Sequence, residues 1–173
     1  MRDLATMSPS PLSPPAPTAF TDAQVVILRV QGGDYAVPIH RVQEIVRVPE
    51  ITRVPHAQAG VEGVINLRGR VLPVVDLAAR LALGTTERAR SARVVVVDAG
   101  SESIGLLVDG VSEVLRVGAS DVEPPSATTT REGPTAVLGV AKLGDRLVLL
   151  LDLDAALGGP MLATQPQLQL SAP

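Results

Sequence analysis

The chain repeats itself, and this limits its folds more than any other feature. Residues 24–48 (QVVILRVQGGDYAVPIHRVQEIVRV) align without a gap on residues 93–117 (RVVVVDAGSESIGLLVDGVSEVLRV), at an offset of 69. Residues 63–81 (GVINLRGRVLPVVDLAARL) align on residues 139–157 (GVAKLGDRLVLLLDLDAAL), at an offset of 76. Two blocks recurring in the same order, the second opening on Gly-Val and closing near Asp-Leu, indicate a duplicated unit. The seven-residue difference between the offsets is a longer loop in the second copy, 118–138.

Each copy reads as short strands. Gln24–Val30 and Tyr35–Ile39 flank the polar turn Gln31-Gly32-Gly33-Asp34, which has the glycines a hairpin needs. His40–Glu44 reads as a turn and Ile45–Val48 as extended, followed by an irregular stretch between Pro49 and Pro55. Val64–Leu67 and Val71–Leu77 form a second hairpin around Arg68-Gly69-Arg70. A short helix, Leu77–Leu83, then stops at Gly84. Asp76 and Asp152 precede the helix in their respective copies, where a short carboxylate caps the first free N–H groups. With 25 valines and 1% aromatic residues the core must be aliphatic and β-branched.

Five short strands per copy cannot leave one sheet face bare. The expectation is an all-β fold of two similar five-stranded SH3-like barrels, with short helices after the barrel strands, stacked so that their contact buries what each leaves exposed. The domain should span 21–158 as two interlocked subdomains, roughly 24–84 and 93–157. Residues 1–20 hold five prolines and read as a disordered tail, and 159–173 as a flexible one.

Composition and motifs exclude several functions. There is no cysteine, hence no disulfide or thiolate chemistry. A net charge of -3, with one tyrosine and one phenylalanine, argues against nucleic acid as a partner. No apolar run approaches the ~18 residues that span a bilayer, and no apolar stretch follows a basic start, so a soluble cytoplasmic chain without membrane insertion is expected. Neither G-x-S-x-G nor a phosphate-binding G-x-x-x-x-G-K-[ST] occurs, and His40 and His56 lack zinc-ligand spacing. The expected catalytic residues, metal ligands and cofactors are therefore none.

Function should lie where the copies differ. Asn66-Leu67-Arg68-Gly69-Arg70 faces Lys142-Leu143-Gly144-Asp145-Arg146, so the first copy carries an extra guanidinium on its hairpin. Pro38 and Pro73 stand where Leu107 and Leu149 stand, which implies edge or bulged strands. The 118–138 loop carries Pro124-Pro125 and a threonine run. Glu44 and Glu113 recur as surface carboxylates beside Arg47 and Arg116.

Gly63-Val64-Ile65-Asn66-Leu67-Arg68-Gly69 followed by Val71-Leu72-Pro73-Val74-Val75-Asp76-Leu77 closely resembles the hallmark segment of the CheW family of chemotaxis coupling proteins. Tyr35-Ala36-Val37-Pro38-Ile39, Val42-Gln43-Glu44-Ile45, Val108-Asp109-Gly110-Val111 and Gly144-Asp145-Arg146 fit in order and spacing, so that the likeness runs from Gln24 to Leu157. The resemblance implies a non-enzymatic adaptor that links chemoreceptor signalling tips to the regulatory domain of the histidine kinase CheA, recruited from the cytoplasm to membrane-associated arrays. It implies receptor contacts at Ile39, Val42, Glu44, Arg68 and Val108 in a groove between the barrels, with a buried ion pair as the other reading of Arg68. It implies kinase contacts at Gly63, Val71, Val122 and Glu123, although backbone geometry alone would also account for Gly63. The first strand, Val25-Val26-Ile27-Leu28, lacks the family's usual aromatic residue, and the leader is longer than the family needs. Both departures suit a paralogue in a non-flagellar pathway. A reading from another class is a small-molecule-binding double barrel with its ligand between the units.

Overall fold

A computed structural model of the chain describes residues 22–100, 102–124 and 136–158. The expectations for the proline-rich leader 1–20, the tail 159–173 and the threonine run lie outside the described residues. The strands are β1 (Ala23–Val30), β2 (Gly33–Pro38), β3 (Val42–Arg47), β4 (Val61–Leu67), β5 (Arg70–Asp76), β6 (Arg93–Asp98), β7 (Ser103–Val108), β8 (Gly110–Val117), β9 (Val122–Glu123), β10 (Val137–Leu143) and β11 (Arg146–Leu151). Two short helices, α1 (Leu77–Arg80) and α2 (Leu153–Leu157), follow β5 and β11. The expected turn at His40–Glu44 is a 3-10 turn over Ile39–Arg41, and β3 begins directly after it. The first helix ends at Arg80 rather than Leu83, because Ala82 turns to a positive φ of 59°.

The strands form a six-stranded sheet, ordered β8-β1-β2-β11-β10-β9, and a five-stranded sheet, ordered β3-β6-β7-β5-β4. The fold is mostly β and consistent with two SH3-like barrels. Each sheet nevertheless draws on both copies. The β1–β2 hairpin of the first copy sits in the sheet of the second, where β2 runs parallel to β11 with Tyr35 opposite Leu149 and Ala36 opposite Leu150. The β6–β7 hairpin of the second copy sits in the sheet of the first, where Gly105 of β7 lies opposite Val74 of β5. These are equivalent pairings, since Val74 and Leu150 differ by 76 and Ala36 and Gly105 by 69. The ranges 24–84 and 93–157 therefore do not each close into a barrel of their own.

Burial explains the exchange. Val25–Leu28 and Val94–Val97 are each four consecutive buried residues, too apolar on both faces to sit at a sheet edge. Val25 and Ile27 fill the six-stranded unit with Ala36, Val148 and Leu150, while Val94 and Val96 fill the five-stranded one with Ile65, Leu72 and Val74. The alternate residues, Val26 and Leu28 from β1 and Val95 and Val97 from β6, meet in a third cluster shared by both sheets with Val75, Leu106, Leu151 and Leu157. The expected burial between the barrels is this third cluster.

Other features recur in both copies. Register shifts occur at Val61/Gly63 and again 76 residues later at Val137/Gly139. Pro73 does not mark an edge, because β5 lies between β7 and β4. Its missing N–H falls one residue before the ladder with β7 begins at Val74. Pro38 likewise ends β2, an interior strand, instead of marking an edge.

Both aspartates cap as expected. Asp152 accepts hydrogen bonds from the Asp154 and Ala155 amides, 3.1 and 3.2 Å. Asp76 does more. It is fully buried and accepts from the Ala78 amide (3.0 Å), the Thr86 amide (2.8 Å) and the Thr86 hydroxyl (2.6 Å), so that it fastens the linker between the copies to α1. Arg80 then joins α1 to the end of α2, donating to the carbonyls of Ala59, Ala156 and Leu157. A guanidinium on the last carbonyls of a helix satisfies acceptors that have no partner within it.

Asp152→Ala should cost about 1 kcal/mol, as for an ordinary cap. Asp76→Ala should cost about 3 kcal/mol, because it also strands the buried Thr86 amide. Urea unfolding of the two variants checks this, and equal losses would mean that the Thr86 bonds contribute nothing.

Candidate functional site

The β4–β5 hairpin turns through Arg68 (φ 54°) and Gly69 (φ 85°), and the Asn66 side-chain oxygen accepts the Gly69 amide at 2.9 Å. Positive φ at both central residues matches the right-handed twist of the flanking strands. The turn aims Arg68 back across the barrel mouth. Its Nη1 donates to Oε2 of Glu44 at 2.9 Å, joining the turn to β3 at the opposite end of the sheet order. The Arg68 side chain is 77% exposed and Glu44 26%. An ion pair this open contributes at most about 1 kcal/mol. The buried-pair reading of Arg68 therefore gives way to a surface pair whose charges can exchange partners at low cost.

Two other expected receptor contacts lie on the same edge. Ile39 begins the 3-10 turn and is 37% exposed, and Val42 opens β3 half-buried against the shared core. Val108 does not join them. It is fully buried in the cluster between the sheets, because β7 is flanked by β6 and β5. The groove expected between the barrels is filled with packed side chains at that point.

The second copy provides an internal comparison. Where the first has Glu44, Arg68, Arg70 and, from β7, Ser103, the second has Glu113, Gly144, Arg146 and, from β2, Asp34. Arg146 is held by both Asp34 (2.9 Å) and Glu113. These bonds, the Asp34 one foremost, raise its pKa above the ordinary guanidinium value. In the first copy Ser103 replaces Asp34 and meets Arg70 at 3.1 Å, and Glu44 turns to Arg68. One mouth thus has Arg146 between two carboxylates, with Arg29 also 3.6 Å from Asp34. The other has two guanidinia and one carboxylate, with Arg68 largely in water.

The kinase-implied residues divide between the two sheets. Gly63 has φ 151°, and a Cβ there would lie 2.1 Å from the Thr52 carbonyl oxygen, across the bridge between Thr52 and Val64. Its counterpart Gly139 approaches the Glu123 carbonyl, with a Cβ at 2.8 Å. A close approach repeated in both copies gives these glycines a reason in backbone packing. Val71 is 63% exposed, as is its counterpart Leu147. Val122 and Glu123 form β9 instead of the expected loop, with Glu123 paired to Lys142 at 3.1 Å.

The family model of the CheW-like domain matches residues 24–160. The chain belongs to the CheW-like family. It is 36% identical to the chemotaxis protein CheW of Rhizobium meliloti over 132 residues, covering 76% of this chain and 85% of the relative. It is 30% identical to that of Bacillus subtilis, covering 79% and 88%. The scaffolding protein TtCheW of Thermoanaerobacter tengcongensis superposes with a TM-score of 0.74 at 31% identity, over 82% of this chain and 99% of that one.

Sequence reasoning missed the exposed apolar residues Ile45, Val114 and Leu147. The repeat contained the signal, since Ile45 and Val114 are 69 apart and Val71 and Leu147 are 76 apart. No group of three His, Asp or Glu side chains among the described residues is placed to hold a metal ion. No helix among them is long and apolar enough to cross a membrane.

Gly63→Ala should destabilise this CheW-like fold by about 3 kcal/mol through steric conflict and positive φ together. Gly69→Ala, with the same φ sign but open space, should cost about 1 kcal/mol. Chemical denaturation distinguishes them, and a Gly63→Ala protein as stable as the parent would overturn the packing account.

Proposed function

We propose that the chain is a non-enzymatic chemotaxis scaffold, coupling chemoreceptor signalling tips to the regulatory domain of a CheA-type histidine kinase in cytoplasmic, membrane-associated arrays. The observation that carries the reading is the exposed Glu44–Arg68 pair, found on one barrel only, with exposed Ile39 in the turn that leads into the strand of Glu44. A receptor helix that laid apolar residues on Ile39 and Val42 could exchange charged partners with Glu44 and Arg68. Apolar contact would supply affinity and the charges would set register. Family membership supports the scaffold role, and the relative TtCheW is itself described as a scaffolding protein.

Kinase docking belongs at the barrel ends in this reading. Val71 on the five-stranded sheet and the β9 edge at Val122–Glu123 on the six-stranded one are the proposed contacts, with Gly63 maintaining the close approach of β4 to Thr52. Val108 drops out of the receptor set as a direct contact, because its side chain is enclosed.

The test is a pull-down of the purified chain against the kinase regulatory domain and a receptor-tip fragment, separately and together. Binding to both is expected, and binding to neither would overturn the proposal. Glu44→Lys should weaken receptor binding about tenfold, or ~1.4 kcal/mol, while kinase binding and thermal stability stay as they were. Unchanged receptor affinity would remove Glu44 from the site.

A further inference from the structure

On the flank of the five-stranded unit, Arg47, Val48 and Pro49 face Arg88, Ala89, Arg90, Ala92 and Arg93 across a cleft of about 650 Å³. Four of these residues are arginines. Arg47 on β3 and Arg93 on β6 are directly opposite in register, so two like charges share one face of the sheet at neighbouring positions. Like charges so placed destabilise a strand pair unless something neutralises them.

Few internal groups do so. Arg93 donates one nitrogen to the Arg90 and Ala92 carbonyls, both at 2.8 Å, and Arg88 pairs with Glu62 at 3.0 Å. Among the described residues the Arg47 and Arg90 guanidinium groups have no hydrogen-bond or ion-pair partner, although the Arg90 carbonyl accepts from Arg93. The second copy again serves as the control. The position equivalent to Arg93 is Gln24 and that equivalent to Arg47 is Arg116, and these two are opposite one another on β1 and β8. The charge doubling is therefore specific to one barrel and is not demanded by the fold.

The other wall is positioned as well. The linker bearing Arg88 and Arg90 is fixed at Thr86 by the buried Asp76 carboxylate, through two hydrogen bonds that Asp152 does not reproduce among the described residues. A buried carboxylate thus holds basic residues opposite a pair of like-charged strand residues.

We propose that this cleft is a binding site for a small, multiply charged phosphate-type anion. The planar forks of arginine match phosphate oxygens in pairs, and the volume is in the ~300–1,000 Å³ range of small-ligand sites. No aromatic ring lines the cleft, so recognition falls on the phosphate groups and not on a stacked base. Binding would neutralise Arg47 and Arg93 together.

The experiment is calorimetric titration of the full chain with pyrophosphate at fixed ionic strength. Saturable one-site binding is expected, weakened about tenfold by Arg47→Gln and about tenfold by Arg90→Gln. Both changes are at exposed side chains whose guanidinium groups make no hydrogen bond or ion pair among the described residues, so the folded state should persist, which the melting temperature checks. Arg116→Gln, in the other barrel, should bind as the parent does. Absence of saturable binding would overturn the proposal, as would equal weakening by Arg116→Gln, which would reduce the effect to general surface charge. Tighter binding of hexaglutamate than of pyrophosphate would also overturn it, assigning the cleft to an acidic protein segment. Receptor and kinase pull-downs with the Arg47 and Arg90 variants should match the parent, so this inference and the scaffold proposal fail separately.

Discussion

The structure depends on two parallel strand pairings, β2 with β11 and β5 with β7. Each inserts the hairpin of one copy into the sheet of the other. Because the inserted strands are buried on both faces, every hairpin fills one barrel and the contact between barrels at once. Neither copy can retain its core if its twin is removed. A duplication that began as similarity of sequence has become mutual dependence of structure, and the Arg80 bonds across to the end of α2 extend that dependence to α1 and α2.

Much of this was legible in the residues, and the limits have a physical cause. Strand positions, aspartate caps and hairpin turns are local, set by alternation, capping chemistry and positive φ, and they lie close to where the sequence puts them. Partner choice is not local. In a duplicated chain, β2 has nearly the same sequence environment as β7, so pattern alone cannot say whether a hairpin joins its own copy or the other. The same ambiguity misplaces Val108, whose apolar character fits a binding face as well as a core. Its burial follows only once β7 is known to lie between β6 and β5. Pro73 does not mark an edge for a related reason, since a proline excludes a strand interior only where the missing N–H would be needed. The bulge, the other half of that expectation, does occur beside it, where β4 shifts register at Val61/Gly63.

The candidate site was more accessible, because it lies where the copies diverge. Glu44 recurs as Glu113, which by itself indicates a surface carboxylate, but Arg68 faces Gly144 and has no counterpart. The structure brings Glu44 and Arg68 together at 2.9 Å, an unequal feature meeting a repeated one. That Ser103 replaces Asp34 could not be read the same way, since these residues enter each mouth on a hairpin from the other copy.

The two mouths also show how a duplicated fold can separate stability from recognition. In the second, Arg146 lies between Asp34 and Glu113, so each charge is engaged inside the molecule. Losing one carboxylate from β7 and gaining one arginine on the turn leaves the first mouth with a surplus cation and a loosely held pair. A closed network resists exchange of partners, whereas an open pair worth about 1 kcal/mol yields to any partner that offers slightly more. The same first-copy sheet doubles its arginines at Arg47 and Arg93, where the second places Gln24 opposite Arg116. The first barrel thus carries both a doubled arginine and an open ion pair, while in the second Arg146 is held between two carboxylates. A core shared by both barrels is what lets one surface carry that charge without the fold giving way.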